Sequence, residues 1–434
     1  MTWPRDLNRS SVDRLVLVFS DIEMGAGGPL DDFPQSDFLG ELLLGYNEGA
    51  FAELPVEVVF NGDTFDFLKV SYREGYPRHI TPEVALGKAA RVAAAHPGFF
   101  NAVRRFVEHE KAPRRVHFIV GNHDPEIVFP EVQDLLRAMA GGSPRITFPG
   151  FSTTIGRLRV EHGNQLDPLF AFDPDDLFVV GAGGERMLNL PWASVALLDV
   201  AIPLHPILHF HDRVVPKDRV LDLLPEIKEL LLERYWQYWT RDYWKGSRGD
   251  PVKKVTWSML KEIFGRYFFS HDADVSPIGD AYIKRVSASD EFDTLVVGHT
   301  HRPAMWSLAN KRLFVLGCFR NEYNLEEGGT VRPLPKTFCE IYLREGRPIR
   351  SLMIEVEGPP LPEGFVPANV MGVKDEIAAL LAPASVREKE HQAQQAQEKK
   401  EQKEEKKQQK QQKQPQEEAR AEPSSAEAPA LADE

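Results

Sequence analysis

Residues 116–124 read VHFIVGNHD, a short apolar, partly β-branched run that ends in a glycine and three polar side chains. The length and β-branching of the run predict a buried strand, and the glycine permits a sharp turn directly after it. Asparagine, histidine and aspartate are residue types that bind metal ions or transfer protons. Alone, the stretch predicts only a turn at the end of a strand, so its meaning depends on the rest of the chain.

Four more apolar runs end in polar clusters of the same kind. The runs are residues 14–20, 56–60, 157–161 and 294–297. The clusters that follow them are Asp21-Ile22-Glu23, Gly62-Asp63, His162-Gly163-Asn164 and Gly298-His299-Thr300-His301. Helical patterns at 83–95 and 99–110 lie between strands, and this alternation predicts an α/β sheet. Because side chains at the carboxyl ends of adjacent strands meet in one crevice, the five clusters predict a shared site.

The side chains of the five clusters suit divalent cations. Residues i and i+2 of an extended segment point to the same side, so Asp21 and Glu23 are expected to face one site together. The same spacing relates His299 and His301. A mixture of carboxylates, one amide and imidazoles suits two hard or borderline ions, so we expect two divalent metals. Mn²⁺ is the expected ion, and Fe²⁺, Mg²⁺ and Zn²⁺ are the alternatives.

The ordered motifs resemble those of the calcineurin-like metallophosphoesterases over roughly residues 14–320. The pattern runs D-x-H, GD-x-x-D, GNHD, a single His and GHTH, and GNHD and GHTH are its most specific parts. The resemblance implies a four-layer α-β-β-α sandwich, here with a helical insertion and a disordered tail. It also implies hydrolysis of a phosphate ester or pyrophosphate bond by a hydroxide that bridges two metals.

The resemblance implies a role for each matching residue. The first metal would be held by Asp21, Asp63 and His301. The second would be held by Asp63, Asn122, His162 and His299, with Asp63 bridging the two ions. His123 would be the catalytic histidine, oriented by Asp66 and able to protonate the leaving oxygen.

Glu23 departs from this pattern, because the family usually has His at that position. An added carboxylate lowers the formal charge of a two-metal site from +2 to +1. We therefore expect firmer binding of cations, a preference for harder ions such as Mn²⁺, and weaker attraction of phosphate. Glu23 is expected to ligate metal directly, with contact through water or weakened activity as the alternatives.

Composition divides the chain into four parts. Residues 1–172 and 291–360 are the predicted catalytic domain, 173–290 a helical insertion, 361–384 a linker and 385–434 a low-complexity tail. The insertion is interpreted as extra core packing, or otherwise as a lid over an apolar substrate or a contact with a membrane surface. The tail has almost no apolar residues, so we expect it to be disordered, a solvated helix or a segment that binds an unknown protein.

Charge and cysteine content restrict the partners. The chain has 434 residues and a net charge of −13, which disfavours a nucleic-acid surface because such surfaces need clustered Lys and Arg. Two cysteines without a CxxC pair fit a reducing compartment, so a cytoplasmic protein, with or without peripheral membrane contact, is expected. No basic-then-apolar leader is evident at the N-terminus.

Three functional hypotheses remain open. The first is a metal-dependent phosphoesterase that acts on a phosphorylated small molecule. The second is a lipid pyrophosphatase, because the insertion and the GHTHRP ending partly resemble the UDP-2,3-diacylglucosamine pyrophosphatase group. The third is a catalytically weak binding or scaffold protein on the same fold. Arg302 and Arg320 are candidate substrate-binding residues, with surface ion pairing as the alternative.

Overall fold

The structure is a computed structural model that describes residues 3–73, 75–243, 250–252, 278–361 and 370–381. The chain divides into two units, Met1–Lys374 and Asp375–Glu434. The first unit contains all of the predicted site residues. The second is described only over the last turns of one helix, and the predicted tail lies outside the described residues.

Sixteen strands occur in the described part of the chain. In chain order they are β1 (Arg14–Phe19), β2 (Val56–Asn61), β3 (Arg114–Ile119), β4 (Ile146–Gly150), β5 (Ser152–Ile155), β6 (Leu158–Glu161), β7 (Phe178–Val180), β8 (Arg186–Leu188), β9 (Val214–Val215), β10 (Thr294–Val297), β11 (Ala304–Leu308), β12 (Lys311–Val315), β13 (Tyr323–Leu325), β14 (Val331–Pro333), β15 (Lys336–Arg344) and β16 (Arg347–Val356).

The described α-helices number ten. They are α1 (Ser36–Leu44), α2 (Pro82–Ala95), α3 (Pro97–Val107), α4 (Pro130–Met139), α5 (Trp192–Ala196), α6 (His205–Leu208), α7 (Lys217–Leu223), α8 (Pro225–Gln237), α9 (Ile278–Ala288) and α10 (Lys374–Leu381). None of these described helices combines the length and apolar character that crossing a membrane would require.

Two large sheets contain the predicted strands. The first has the order β16-β15-β1-β2-β3-β4, with β1 to β4 parallel and β15 and β16 antiparallel. The second has the order β11-β12-β10-β6-β5, in which β12, β10 and β6 run parallel. The apolar runs at 312–316, 338–343 and 350–355 have no helical pattern between them, which predicts an antiparallel part of the structure. The last two form it, as β15 and β16. The run at 312–316 is β12, which pairs antiparallel with β11 on one side and parallel with β10 on the other.

The layers follow from three buried clusters. Val16 and Val59 of the first sheet pack with Val160 and Val296 of the second, so the two sheets lie face to face. The other face of the first sheet packs against α1, α2 and α3, and the other face of the second packs against α9. Helix, sheet, sheet and helix give the expected four-layer α-β-β-α sandwich.

Over its described residues, the region predicted as an insertion is mostly helical, with the short strands β7, β8 and β9, and its helices are more broken than expected. Apolar residues at i, i+3, i+4 spacing predict one helix over 219–239, whereas the structure has α7, then α8, then a π-helical turn at Tyr238–Asp242. Pro225 begins α8, and its missing N–H cannot continue the hydrogen bonding of the preceding helix. The short strand β9 pairs with β13, which connects this region to the chain after the second sheet.

Candidate metal centre

The predicted ligands follow β1, β2, β3, β6 and β10, and the fold brings them together at one rim. Eight described non-glycine residues have positive φ, and five of them are candidate ligands. These are Asp21 (53°), Glu23 (53°), Asp63 (48°), His299 (69°) and His301 (56°). The left-handed conformation costs an L-residue about 1–2 kcal/mol, so the surrounding structure must hold these residues in place. Such concentration of strain is typical of a functional site.

Backbone hydrogen bonds and close backbone packing help to keep these residues in the left-handed conformation. The N–H groups of Ile22 and Glu23 donate to the carbonyl of Asp63 at 2.9 and 2.8 Å, which ties the first two clusters together. Gly298 has no space for a side chain, because a Cβ there would lie 1.9 Å from Ser20 Oγ and 2.4 Å from Asp21 Oδ2. A Cβ on Gly121 would lie 2.1 Å from Asp63 Oδ1. The glycines thus allow backbone to approach the carboxylates closely.

His162 is fully buried and its ring has a fixed orientation. Its Nδ1 donates to the Asn61 carbonyl at 2.9 Å, which leaves Nε2 as the ligand atom. Nε2 lies 3.0 Å from Asp63 Oδ2 and 3.1 Å from Asn122 Oδ1. Burial opposes a charge on the ring, but the carboxylates of Asp63 and Asp21 outweigh it and raise the pKa of His162 to about 9.

His301 is arranged in the same way on the other side of Asp21. Its Nδ1 donates to Glu322 Oε1 at 2.8 Å, so Nε2 faces Asp21 Oδ1 at 3.2 Å and Glu23 Oε1 at 3.5 Å. Burial and the Arg320 charge oppose protonation of this ring. The Glu322 and Asp21 carboxylates outweigh them, and the pKa of His301 rises to about 10. Glu322 was not predicted, although it lies two residues beyond Arg320.

His299 completes the set of candidate imidazoles. Its backbone N–H donates to both oxygens of Asp21, and its Nε2 lies 3.4 Å from Asp167 Oδ2. Burial lowers the pKa of His299, which favours the neutral ring that binds metal. Its ring and that of His162 meet edge to face, with centroids 5.4 Å apart.

His123 and Asp66 form the predicted pair. His123 Nδ1 lies 3.1 Å from Asp66 Oδ1, while the His123 backbone N–H donates to Asp63 Oδ1 at 2.7 Å. Burial disfavours the imidazolium, but the carboxylates of Asp66, Asp63 and Glu23 outweigh it and raise the pKa of His123 to about 10. A charged imidazole held beside the candidate ligands can stabilise negative charge and donate a proton.

Glu23 is held by two cations. Its Oε2 lies 2.8 Å from an Arg320 nitrogen and 3.2 Å from Lys69 Nζ, whereas its Oε1 is buried and has no hydrogen-bond partner. The predicted fall in the formal charge of the site from +2 to +1 therefore left out Lys69 and Arg320, whose positive charges offset the Glu23 carboxylate. Burial nevertheless raises the pKa of Glu23, since desolvation exceeds the effect of both cations.

The two candidate substrate-binding arginines differ in environment. Arg320 is 6% exposed and pairs with Glu322 at 2.9 Å as well as with Glu23, so it forms ion pairs as the alternative held, but these are buried and not at the surface. Its guanidinium is directed at carboxylates of the site. Arg302 is exposed at the surface, and its role in substrate binding stays a prediction.

The fit of divalent metal can be judged from these residues. Ligand atoms of Asp21, Asp63 and His162 lie within 4.8 Å of one another. The orphaned Glu23 Oε1 lies beside the ring nitrogen of His301, where a cation would give it a partner. Across the described ion pairs of the site, carboxylates outnumber Lys and Arg side chains. Oxygen and imidazole donors with excess negative charge fit hard or borderline divalent ions.

Comparisons with known proteins give matches among solved structures. A scan of protein-family models gives no match, and a search of curated proteins gives none either. Among solved structures, the chain is similar to a predicted phosphoesterase from Streptococcus pneumoniae TIGR4, with 12% identity, 79% of this chain and 97% of that chain covered, and a TM-score of 0.23. It is also similar to a dimetal phosphatase from Danio rerio, with 12% identity, coverage of 80% and 100%, and a TM-score of 0.30.

At these identities and TM-scores the comparisons carry no argument about function, which rests on this chain's own residues. The order of the motifs, the four-layer fold and the positions of the candidate ligands are observed directly. In these three respects the chain agrees with the expectations that the order of its motifs gave.

Proposed function

We propose that the protein hydrolyses a phosphate ester or pyrophosphate bond with the help of two divalent cations, Mn²⁺ in the first place. The orientation of the histidine rings supports this most strongly. Acceptors on the outer nitrogens of His162 and His301 leave the inner nitrogens facing Asp63 and Asp21. A histidine that binds metal usually has this arrangement, in which one ring nitrogen donates to a carbonyl or carboxylate and the other faces the ion.

The residues divide into two ligand sets. Asp21, Glu23 through Oε1, Asp63 and His301 would hold one ion. Asp63, Asn122, His162 and His299 would hold the other. When bound, two such ions clamp phosphoryl oxygens and lower the pKa of water, which makes a nucleophile available near neutral pH. The described side chains keep these donors in position before any substrate arrives.

His123 would act on the leaving group. Asp66 accepts from Nδ1 of His123, so Nε2 remains free to donate its proton to the leaving oxygen. The neighbouring carboxylates favour the charged ring, which can also stabilise the charge that develops on phosphorus-bound oxygens. General acid catalysis of this kind contributes about 10²- to 10⁴-fold in rate.

A substrate screen tests the proposal directly. Protein loaded with Mn²⁺ is expected to cleave at least one of a chromogenic phosphomonoester, a phosphodiester or a pyrophosphate ester, and a chelator should abolish the turnover. His123→Asn should lower kcat about 10²-fold or more with unchanged metal content. The matched control is His109→Asn, since His109 bonds the Ala52 carbonyl away from the site. No turnover on any substrate, or equal rates for wild type and His123→Asn, would contradict the proposal.

A lipid-linked substrate is favoured by one observation. Leu232 and Trp236 lie one turn apart on α8 and are 60% and 71% exposed, which is unusual for large apolar side chains. We propose that this pair contacts an acyl chain or a lipid surface. Turnover of a lipid pyrophosphate should then depend on detergent and fall in Leu232→Ser/Trp236→Ser. Met305→Ser, on the exposed β11, is the control, and equal loss in both variants would exclude the idea.

A further inference from the structure

Lys69 is surrounded by carboxylates beside the candidate metal centre. Its Nζ lies 2.6 Å from Asp32 Oδ2, 2.8 Å from Asp66 Oδ2 and 3.2 Å from both Glu23 Oε2 and Asp212 Oδ2. Its side chain is 8% exposed, and those of Glu23, Asp32 and Asp66 are at most 2% exposed. An ammonium has three N–H donors, so four carboxylate oxygens exceed its donors. These four carboxylates are called the Lys69 cage below.

The walls of the Lys69 cage come from separate parts of the chain. Glu23 and Asp32 follow β1, Asp66 follows β2, and Asp212 belongs to the region predicted as an insertion. The Asp66 side chain also accepts from the Lys69 backbone N–H at 3.1 Å, which fixes the start of a short helical turn. The segments after β1 and β2 are already joined by strand pairing and by a bridge between Met24 and Phe65, so the ammonium adds to them the contact with Asp212.

Glu23 and Asp66 each place one carboxylate oxygen against Lys69 and the other toward the candidate metal centre. Glu23 gives Oε2 to Lys69 and Arg320, and its Oε1 lies 3.5 Å from His301 Nε2. Asp66 gives Oδ2 to Lys69, and its Oδ1 accepts from His123 Nδ1. Lys69, together with Arg320 in the case of Glu23, thus contacts the carboxylate oxygen that lies away from His301 or His123.

We infer that Lys69 is a positioning residue whose ammonium fills a cation position next to the metal centre, so that Glu23 is directed at the metal and Asp66 at His123. This inference rests on the proposed function. A cage of carboxylate oxygens is also a good site for a divalent ion. If a third ion bound there, it would draw Glu23 and Asp66 away from their partners, and the ammonium prevents this.

Binding stoichiometry provides the first test. Full-length wild type and Lys69→Ala are titrated with Mn²⁺, and bound manganese is measured by calorimetry and elemental analysis. Lys69→Ala is expected to bind one more equivalent than wild type, and Lys69→Ala/Asp32→Asn should lose that equivalent. Lys88→Ala is the matched control, because Lys88 is fully buried and, among the described residues, its Nζ pairs with one carboxylate, that of Glu126, at 3.2 Å. Equal stoichiometry in Lys69→Ala and wild type overturns the inference.

Kinetics provide the second test. With saturating Mn²⁺, kcat of Lys69→Ala should fall about 10- to 100-fold, the usual effect of removing a partner of a ligand, while KM changes little. Methylammonium should restore part of kcat in Lys69→Ala and none in Lys88→Ala. If Lys69→Ala does not fold, Lys69→Gln replaces it. A kcat equal to wild type in Lys69→Gln overturns the inference.

The two proposals fail in different ways. If wild type binds manganese but hydrolyses nothing, the proposed function fails, and the added equivalent in Lys69→Ala still tests the cage. If wild type hydrolyses a substrate and Lys69→Ala matches it in stoichiometry and kcat, only the inference about Lys69 fails.

Discussion

Glu23 is the residue at which the sequence differs from the family pattern, and its surroundings give that difference a physical basis. Its Oε2 contacts Arg320, which lies 297 positions away along the chain. Sequence reasoning could identify Glu23 as a candidate ligand from its spacing after β1. It could not supply the compensating cations, because no local pattern connects residues so far apart.

Replacing Glu23 by Gln should weaken one of the two metal sites. The amide loses the charge that Oε1 offers, and it leaves Lys69 and Arg320 without a shared partner. We expect the affinity for the weaker manganese equivalent to fall about tenfold or more, in the range seen when metal-site partners are removed. Glu57→Gln is the control, because Glu57 is also buried but pairs with Arg14 and His117. Equal manganese affinity in wild type and Glu23→Gln would show that Glu23 is no ligand.

Glu322 is expected to affect metal binding by orienting the ring of His301. It accepts from His301 Nδ1 at 2.8 Å and so selects the ring nitrogen that faces Asp21. In Glu322→Gln, manganese affinity or activity should fall about 10- to 100-fold, as for other partners of metal-binding histidines. Calorimetry with Mn²⁺ measures this, and Glu326→Gln, on the exposed end of β13, is the comparison. Unchanged affinity and activity would rule out this role.

At the scale of secondary-structure elements, local sequence patterns located the strands well and the helices less well. The run predicted at 294–297 is β10, and 56–60 is β2 with one more residue. These strands are buried, so their apolar runs are continuous and easy to recognise. The predicted helix at 219–239 was too long, because Pro225 begins a new helix and was given too little weight.

The turn between β10 and the GHTH cluster depends on the absence of a side chain at Gly298. A Cβ there would overlap Ser20 and Asp21, so Gly298→Ala must displace either β1 or its own loop. We expect a loss of about 1–3 kcal/mol in the free energy of unfolding, the usual effect of overpacking, together with weaker manganese binding. Denaturant unfolding measures the first and calorimetry the second.

Gly279 gives the matched substitution for that experiment. It lies in α9, where a Cβ would meet only a Trp306 ring atom at 4.0 Å. Gly279→Ala should leave stability unchanged or raise it by up to about 1 kcal/mol, because alanine is the better helix former. Similar losses of unfolding free energy in both variants would mean that steric overlap with Ser20 and Asp21 is not the reason for glycine at position 298.

For the whole molecule, the sandwich and the approximate site were accessible from sequence, whereas the charge network was not. Five strand ends with polar clusters predict convergence, because a parallel sheet places those ends on one edge. The contacts of Lys69 with Asp32 and Asp212 depend on how loops and the inserted region fold back. No periodic pattern encodes such contacts, since each involves a single polar residue in irregular backbone.

Metal should stabilise the entire fold, because its candidate ligands come from both sheets. Asp21 and Asp63 follow strands of the first sheet, while His162 and His301 follow strands of the second. Mn²⁺ at one hundred times its Kd should add about 2.7 kcal/mol per site to the free energy of unfolding. Thermal unfolding with chelator and with Mn²⁺ measures the shift in Tm. His162→Ala should show a much smaller shift, because it lacks a ligand of one site. A wild-type Tm that is the same with chelator and with Mn²⁺ would contradict a metal centre that joins the two sheets.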